Sequence, residues 1–415
     1  MGFYRLALAP LGLLFALALA PFIPKLKATL KMRQYPPQWP EWVGHEPTLW
    51  VHCASGEFEY AKAVLREWRK LKPQHKIFVS YFSPSYQRAI EASDEVDFSA
   101  PLPLDLPGPM AQFIKKIKPE LLAVARTDLW PEMCAQAARH NISITLFSAT
   151  RRPLRWWEFL VKPLIRWRLE LVDQILTVSE LDVAQIKNIG VRTPQINLGD
   201  SRYDQVVYRL AHPKKLTITT NHTVPVLAAG STWKEDETVL LEAIFDLLKK
   251  QLLRLILVPH EPTPAHLHEI QKRLEKQNIT YQLYSTTNNW QASVLLVDQV
   301  GILAELYTLG NMAFVGGSFK GSVHSVMEPL ACGLPTFVGP YHLNNREACE
   351  FQNYPLNNQL TMVNMAKNSV DLKNKIELLL KSDLSDLKEK IRVSIRVNLG
   401  AARKIAETLC DTSIG

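Results

Sequence analysis

The stretch AFVGGSFKGSVHSVMEPLACGLPTFVGP, residues 313–340, is the most informative part of this sequence. It opens with a short apolar run that is typical of a buried strand and that ends at Gly316 and Gly317. A glycine pair between a strand and a helix lets backbone N–H groups approach a phosphate. We therefore expect the pair to form a phosphate-binding loop and a helix to begin near Val323 or His324. A tight turn without a ligand is the alternative.

Two further residues of this region point to a bound nucleotide. His324 and Glu328 are four positions apart, so they share a face of the expected helix. The carboxylate of Glu328 could accept hydrogen bonds from both hydroxyls of a ribose, whereas the alternative is an exposed glutamate beside a turn. His260 follows the apolar run 254–259, and ligands of parallel sheets bind at such strand ends. A histidine that only caps the strand remains open as well.

Outward from this stretch, apolar runs of strand length alternate with amphipathic runs of helix length. The pattern begins at residue 48, and it starts again after a polar segment at 209–221. Alternation of this kind predicts α/β domains with parallel sheets, and ligands in such domains bind beyond the carboxyl ends of the strands. We expect a basic N-terminal segment at 1–33, one domain at 34–210 and a second at 211–415, with a ligand in the cleft where the two domains face one another.

The composition of the 415 residues excludes several classes of protein. Hydrophobic residues make up 47% and charged residues 21%, which excludes a disordered, collagen-like or disulfide-built chain. The five cysteines are widely spread and form no C-x-x-C pair, so neither a zinc site nor a disulfide framework is indicated. The net charge of +8 is small for a dedicated nucleic-acid binder.

The N-terminal residues suggest a membrane. Residues 6–24 carry no charge, and basic residues flank them, namely Arg5, Lys25, Lys27, Lys31 and Arg33. Nineteen uncharged residues are long enough for a spanning helix, and the basic flank favours a cytoplasmic body. We therefore expect a single membrane anchor. A cleaved signal peptide, which Pro21 disfavours, and a buried or interfacial helix are the alternatives.

A second basic stretch lies at residues 151–168, where arginines and tryptophans are interleaved. We expect Arg151, Arg152 and Arg155 to contact anionic lipid headgroups. A nucleic-acid backbone with stacked bases, or an ordinary solvated helix face, would give the same composition.

One carboxylate of the first half has the setting of a general base. Glu57 follows Ser55 and Gly56 after an apolar strand and opens a helix. The positive end of a helix keeps a carboxylate ionised, as a base needs. Glutamate is also common in the first turn of a helix without any catalytic role. Glu59 is a second candidate for the general base.

Taken together, short motifs in order along nearly the whole chain resemble the bacterial transferases of 3-deoxy-D-manno-octulosonic acid (Kdo). The motifs are WVHCASGE (50–57), PLPLDLPG (101–108), RTDLWPE (126–132), SATR (148–151), VSELD (178–182), GDSRYD (199–204), AAGSTWKEDE (228–237), LILVPHEP (255–262), GILAELY (301–307), FVGGS (314–318), HSVMEP (324–329) and GLPTFVGP (333–340). The resemblance implies the GT-B fold of two Rossmann-like domains. It also implies transfer of Kdo from CMP-Kdo to a hydroxyl of a lipid A precursor at the cytoplasmic face of the inner membrane, with no metal, cofactor or nucleic acid.

The resemblance also implies roles for individual residues. Glu57 matches the general base, and Asp128 and Arg202 match residues that stabilise the transition state. The remaining matches are to segments that bind CMP, namely Pro259, His260, Gly301, Ile302, Leu303, Gly316, Gly317, Ser318, His324, Ser325, Val326, Met327 and Glu328.

The chain departs from the family pattern at several of these places. The loop before Glu57 is one residue shorter than usual, Arg126 stands where glutamate is usual, and Ser325 replaces asparagine. His260 stands where arginine is usual, and histidine is only partly charged near neutral pH. We therefore expect donor binding that is weaker or depends on pH. A GT-B enzyme for another nucleotide sugar and an inactive, membrane-anchored binding homologue remain as alternative functions.

Overall fold

The computed structural model describes residues 1–33, 37–220 and 223–412, which form two compact units. Val206–Val397 make the second unit, and the rest of the described chain makes the first. Each unit contains one sheet of parallel strands with helices packed on it. The expected α/β class with parallel sheets is confirmed.

The sheet of the first unit has seven strands within the described residues, in the order β3-β2-β1-β4-β5-β6-β7. They are β1 (Thr48–Cys53), β2 (Lys76–Tyr81), β3 (Phe98–Pro101), β4 (Leu121–Ala125), β5 (Ser143–Ala149), β6 (Gln174–Thr177) and β7 (Gln195–Asn197). Successive side chains of β1 enter different hydrophobic clusters, with Trp50 in one and Leu49 and Val51 in the other. A strand that is buried on both faces reads as a continuous apolar run, which is why the sequence identifies it.

The helices of the first unit cover both faces of this sheet. They are α1 (Ala9–Leu19), α2 (Pro24–Lys31), α3 (Phe58–Leu71), α4 (Gln87–Glu91), α5 (Pro107–Ile117), α6 (Pro131–Arg139), α7 (Lys162–Leu169), α8 (Glu180–Ile189) and α9 (Ser201–Ala211), which leads into the second unit. In α3 the buried residues Phe58, Ala61, Leu65 and Trp68 recur at helical spacing and form one face against the sheet.

In the second unit the described residues likewise form a seven-stranded parallel sheet, in the order β10-β11-β9-β8-β12-β13-β14. Its strands are β8 (Val226–Thr232), β9 (Arg254–Pro259), β10 (Tyr281–Leu283), β11 (Val294–Leu296), β12 (Met312–Val315), β13 (Thr336–Val338) and β14 (Val363–Met365). Its helices are α10 (Lys234–Lys249), α11 (Pro264–Lys276), α12 (Leu303–Tyr307), α13 (Met327–Ala331), α14 (Arg346–Phe351), α15 (Ser369–Leu380) and α16 (Leu384–Arg396).

The last helix, α17 (Ala401–Thr412), returns to the first unit and packs on α3. Its residues Ala402, Ile405 and Leu409 are buried in the cluster beneath α3. The carboxylate of Asp204 accepts hydrogen bonds from the N–H groups of Gly400 and Ala402, 2.7 and 3.0 Å away, and so holds the start of α17. The sequence placed residues 211–415 in one domain, and the structure differs at this helix.

The apolar N-terminal segment is folded differently from the uninterrupted helix that we expected. A π-helical turn (Tyr4–Leu8) leads into α1, which ends at Leu19, and α2 begins at Pro24 after a turn. Pro21 and Pro24 lack an N–H group and cannot continue a helix. Across the described ranges, no helix combines the length and the apolar character that crossing a bilayer requires.

Candidate active site

Glu57 lies at the carboxyl end of β1, in the position before the first turn of α3. Its side chain does not cap the helix but turns back, so that Oε2 accepts a hydrogen bond from the backbone N–H of Ser55, 2.9 Å away. Burial, followed by the negative charges of Glu57 and Asp128, raises the pKa of the Cys53 thiol at the end of β1. Both carboxylates therefore lie near the end of this strand, as the resemblance implies.

Asp128 follows β4, the neighbour of β1 in the sheet. Its Oδ2 lies 3.2 Å from Nε2 of His52 and accepts a hydrogen bond of 3.0 Å from Nε1 of Trp130. Burial alone would raise the pKa of Asp128, but the interactions with His52 and Trp130 and the charge of Arg168 outweigh burial and lower it. Asp128 is thus held ionised near the strand end that also carries Glu57.

His52 and Ser80 are site residues that the sequence analysis missed. His52 is fully buried, and its Nδ1 lies 2.9 Å from the hydroxyl of Ser80 on β2. The same hydroxyl accepts a hydrogen bond of 2.8 Å from Nε1 of Trp50. His52 and Ser80 are partners in the register between β1 and β2, which the sequence alone does not give. Together they fix the imidazole that holds Asp128.

Arg202 lies in the first turn of α9, and its Nη1 donates a hydrogen bond of 2.8 Å to the hydroxyl of Tyr60. Tyr60 lies one turn after Glu57 in the chain, since its N–H donates to the carbonyl of Glu57. Arg126, which follows β4, donates to the same hydroxyl. The structure thus places Arg202 in one neighbourhood with Glu57, and it adds Tyr60 and Arg126.

The basic stretch 151–168 carries less free charge than its composition suggests. Arg151 and Arg152 both pair with the carboxylate of Glu158, at 3.3 and 2.7 Å, while Arg155 donates its backbone N–H to that carboxylate. That backbone hydrogen bond, with the side chain of Arg152 and the two charges, lowers the pKa of Glu158. A cavity of about 500 Å³ adjoins the stretch, and its lining includes Asp128, Trp157 and Arg168.

In the second unit, side chains from the carboxyl ends of β8, β9 and β12 form a stack. The ring of His260 packs on the rings of Trp233 and His324, with centroid distances of 4.7 and 4.5 Å, and Nε1 of Trp233 donates a hydrogen bond of 3.3 Å to Nε2 of His324. The ammonium group of Lys320 lies 3.1 Å from the centroid of the Trp233 ring. Burial, together with the nearby His260 and Lys320, lowers the pKa of His324. The two histidines that the sequence selected are therefore adjacent, and Trp233 and Lys320 are additions from the structure.

The glycine loop after β12 does not present free N–H groups. The N–H of Gly316 donates to the carbonyl of Gly230 at 2.9 Å, and the N–H of Gly317 donates to the carboxylate of Asp236 at 2.7 Å. Asp236 also accepts from the N–H of Phe319 at 2.8 Å. The expectation that the glycine pair faces a phosphate was therefore wrong, because protein groups already occupy both N–H groups.

The glycines are required for close packing instead. A Cβ at Gly316 would lie 2.2 Å from the carbonyl oxygen of Ser231. Gly317 has a φ of +79°, and a Cβ there would lie 2.2 Å from the carbonyl oxygen of Ser322. Ser318, which follows them, is buried and donates its hydroxyl to the carbonyl of Val315.

The helix that we expected near Val323 or His324 begins only at Met327 and has five residues. The N–H groups of Val323 and His324 donate to the carbonyls of Tyr341 and Gly316, so the chain there is an extended loop. His324 and Glu328 consequently do not share a helix face, and the argument from a helix end does not hold. The predicted donor contacts of Glu328 and of its neighbours Ser325, Val326 and Met327 stay predictions.

Glu328 nonetheless keeps a position at the edge of the sheet. It is half-buried in the first turn of α13, and burial, followed by the charge of Glu328, raises the pKa of the Tyr307 phenol on α12. Gly301 and Ile302 precede α12, and Leu303 begins it. The segments predicted to bind the donor thus lie at adjoining places in the second unit. Over the described ranges, no group of three or more side chains is arranged as metal ligands.

Comparison with known proteins finds similarity to Kdo transferases. Residues 28–205 match a family model described as 3-deoxy-D-manno-octulosonic-acid transferase (kdotransferase). A 3-deoxy-D-manno-octulosonic acid transferase of Aquifex aeolicus is 28% identical over 350 residues, or 83% of this chain and 88% of that protein. The chain is therefore similar to Kdo transferases over most of its length. The Kdo transferase of Haemophilus influenzae is also 28% identical, over 71% of both chains.

Solved structures of other proteins share the two-domain fold of this chain. The UDP-GlcNAc 2-epimerase of Neisseria meningitidis matches 89% of this chain and 99% of its own, with a TM-score of 0.61 and 14% identity. A glycosyltransferase of Rickettsia africae matches the same shares with a TM-score of 0.57 and 12% identity. At such identities the likeness concerns the fold alone, which is a GT-B-like fold of two domains.

Proposed function

We propose that this chain transfers Kdo from CMP-Kdo to a hydroxyl of a lipid A precursor, as a glycosyltransferase of lipopolysaccharide core biosynthesis. The observation that carries the proposal is that Glu57 and an ionised Asp128 both lie near the carboxyl end of β1, in a chain that is similar to Kdo transferases. The acceptor oxygen attacks the anomeric carbon of the sugar, the bond from that carbon to the phosphate oxygen breaks, and CMP leaves.

Glu57 is the proposed general base of this step. It takes the proton of the acceptor hydroxyl as the new bond forms. The N–H and the hydroxyl of Ser55 both donate hydrogen bonds to Oε2 of Glu57. Within the described part of the chain Oε1 is therefore available to accept the proton, while Ser55 fixes the direction of the carboxylate.

Asp128 is proposed to stabilise the positive charge that develops on the anomeric carbon as CMP departs. A fixed carboxylate is effective for this purpose because it needs no reorganisation during the reaction. The side chains of His52 and Trp130 hold Asp128 in place. Arg202 is proposed to offset the negative charge that develops on the leaving group.

The donor is proposed to bind at the carboxyl edge of the second sheet. His260, His324 and Lys320 place three groups there that are cationic when protonated, which suits the phosphate of CMP. Glu328 is proposed to accept hydrogen bonds from the ribose. Kdo transfer of this kind requires no metal, since CMP leaves as a phosphate monoester.

The acceptor is a lipid, and we propose that the first unit meets it at the cytoplasmic surface of the inner membrane. The support is a set of exposed apolar side chains on α1 and around residues 156–160, which includes Phe15, Trp156 and Leu160, exposed by 67%, 83% and 83%. Arg155 on the same stretch is exposed and could reach anionic headgroups.

The test is a transfer assay with CMP-Kdo and a tetraacylated lipid A precursor, followed by mass analysis of the product. The proposal expects Kdo on the lipid. A parallel assay with UDP-sugars separates the alternative donors, since transfer from a UDP-sugar alone would contradict the proposal. Binding of CMP-Kdo without any transfer would instead indicate an inactive homologue.

A further inference from the structure

Two arginines of the first unit converge on one tyrosine. Nη1 of Arg202 donates to the hydroxyl of Tyr60 at 2.8 Å, and Nη1 of Arg126 donates to the same oxygen. Both guanidinium groups also lie over the Tyr60 ring, with their central carbons 5.0 and 4.5 Å from its centroid. Two permanent positive charges are therefore held side by side on one neutral side chain.

The charge of Arg126 is not neutralised locally. Its second hydrogen bond, of 3.1 Å, goes from Nη2 to the neutral hydroxyl of Thr150. In the portion of the chain that the structure describes, no carboxylate forms an ion pair with Arg126. Other arginines of the same unit do have such partners, for example Arg66 with Glu95 at 2.6 Å. A bound anion would supply the negative charge that Arg126 lacks among the described residues.

The backbone at Arg126 is also unusual. Arg126 has a φ of +66°, a left-handed conformation that is uncommon for residues other than glycine. Its N–H donates to the carbonyl of Phe147 on β5 at 2.8 Å, which holds the residue in that conformation. Backbone outliers of this kind cluster at functional sites. This one aims the side chain towards Tyr60 at the carboxyl edge of the sheet.

We propose that Arg126 and Arg202, oriented by Tyr60, form an anion subsite that binds an oxyanion of a substrate one helical turn from Glu57. A guanidinium pair presents parallel N–H donors that match the oxygens of a carboxylate or a phosphate. The inference rests on the proposed function, in which two sources supply such a group. They are the donor, which carries the carboxylate of Kdo and the phosphate of CMP, and the lipid acceptor, which carries phosphates.

The first experiment measures KM for CMP-Kdo and for the acceptor separately in Arg126→Gln, Arg126→Lys and Tyr60→Phe. Loss of a charge-assisted hydrogen bond should raise one KM about tenfold in Arg126→Gln, with partial recovery in Arg126→Lys. A higher KM for CMP-Kdo would show that the subsite binds an oxyanion of the donor. A higher KM for the acceptor would show that the subsite binds a phosphate of the acceptor, provided that the difference between variant and wild type disappears with a dephosphorylated acceptor. Arg192→Gln, an exposed arginine before β7 at the opposite edge of the sheet, is the matched control and should leave both values unchanged.

The second experiment does not depend on turnover. Free Kdo and inorganic phosphate are titrated calorimetrically into the wild-type chain and into Arg126→Gln, with thermal unfolding to verify the fold. Weaker binding of one of these anions in the variant supports the subsite even if no transfer is found, in which case only the proposed function fails. Equal binding of both anions by a folded Arg126→Gln, or unchanged KM values for both substrates, overturns the subsite.

Discussion

The carboxyl edges of the two sheets carry charge in different ways. At the first edge three side chains keep their charge near neutral pH, since Asp128 is held ionised and Arg126 and Arg202 are always cationic. At the second edge His324 packs on His260, and burial, His260 and Lys320 lower the pKa of His324. We therefore expect donor binding in the second unit to depend on the protonation of His324, whereas Asp128, Arg126 and Arg202 keep their charges over the same range of pH.

The largest effect is expected from Glu57→Gln, which removes the proposed base while it keeps the shape of the side chain. General base catalysis contributes on the order of a hundredfold or more, so kcat should fall by at least that factor. Glu59→Gln is the matched control, because Glu59 lies two residues on and pairs with Lys62. Full transferase activity in Glu57→Gln would remove Glu57 from the mechanism.

A smaller loss is expected from Asp128→Asn, which removes a fixed negative charge but can retain the contact with His52. We expect kcat to fall by roughly tenfold to a hundredfold with little change in the KM for CMP-Kdo, since the charge acts in the transition state. Steady-state kinetics with each substrate varied in turn checks this. An increase in KM at constant kcat would instead place Asp128 in substrate binding.

The histidine His324 at the carboxyl edge of the second sheet should make CMP binding depend on pH. Burial, His260 and Lys320 lower the pKa of His324, so His324 is neutral near pH 7 and takes up a proton only as the pH falls. A bound phosphate favours the protonated histidines, so affinity should rise by about fivefold as the pH is lowered from about 8 to about 5.5.

The matched variant for this prediction is His260→Arg, which places a permanent charge in the stack. It should bind CMP more tightly at the upper end of the range and show a weaker dependence on pH. Calorimetric titration at several pH values provides the measurement. Equal affinity for CMP throughout the range in the wild-type chain would show that the contrast between the two edges is wrong.

The smallest effect concerns stability. Gly317→Ala would force a Cβ onto a backbone with a φ of +79° and against the carbonyl of Ser322, so the free energy of unfolding should fall by about 2 kcal/mol. Gly321→Ala in the same loop is the control, because a Cβ there meets nothing within 4 Å. Denaturant unfolding of both variants tests the difference, and equal stabilities would show that the loop is not packed as described.

The sequence predicts the fold well because its signals are local. Buried parallel strands such as β1 and β4 read as apolar runs, and amphipathic helices such as α3 show their spacing directly. The local sequence does not show which of the two units α17 packs on. Its apolar face would suit either unit, and only the tertiary contacts of Ile405 and Leu409 with the cluster beneath α3 decide it.

The site is predicted only in part, for a similar reason. Glu57 and His260 follow strands, where the pattern of the sequence marks them, whereas Asp128 was implied only by the resemblance to Kdo transferases. The contact between His52 and Ser80 depends on the register of β1 against β2, and the meeting of Arg126 with Arg202 joins residues that are far apart in the chain. The loop at Gly316 was misread because its partner, Asp236, lies on α10, about eighty residues earlier.

The most direct test of the central claim is one assay in which wild-type chain and Glu57→Gln are incubated with CMP-Kdo and tetraacylated lipid A precursor. Mass spectrometry of the lipid product is the measurement. The account predicts lipid that carries Kdo with the wild-type chain and almost none with the folded variant. Absence of Kdo from the lipid with the folded wild-type chain, or equal product from both proteins, would contradict it.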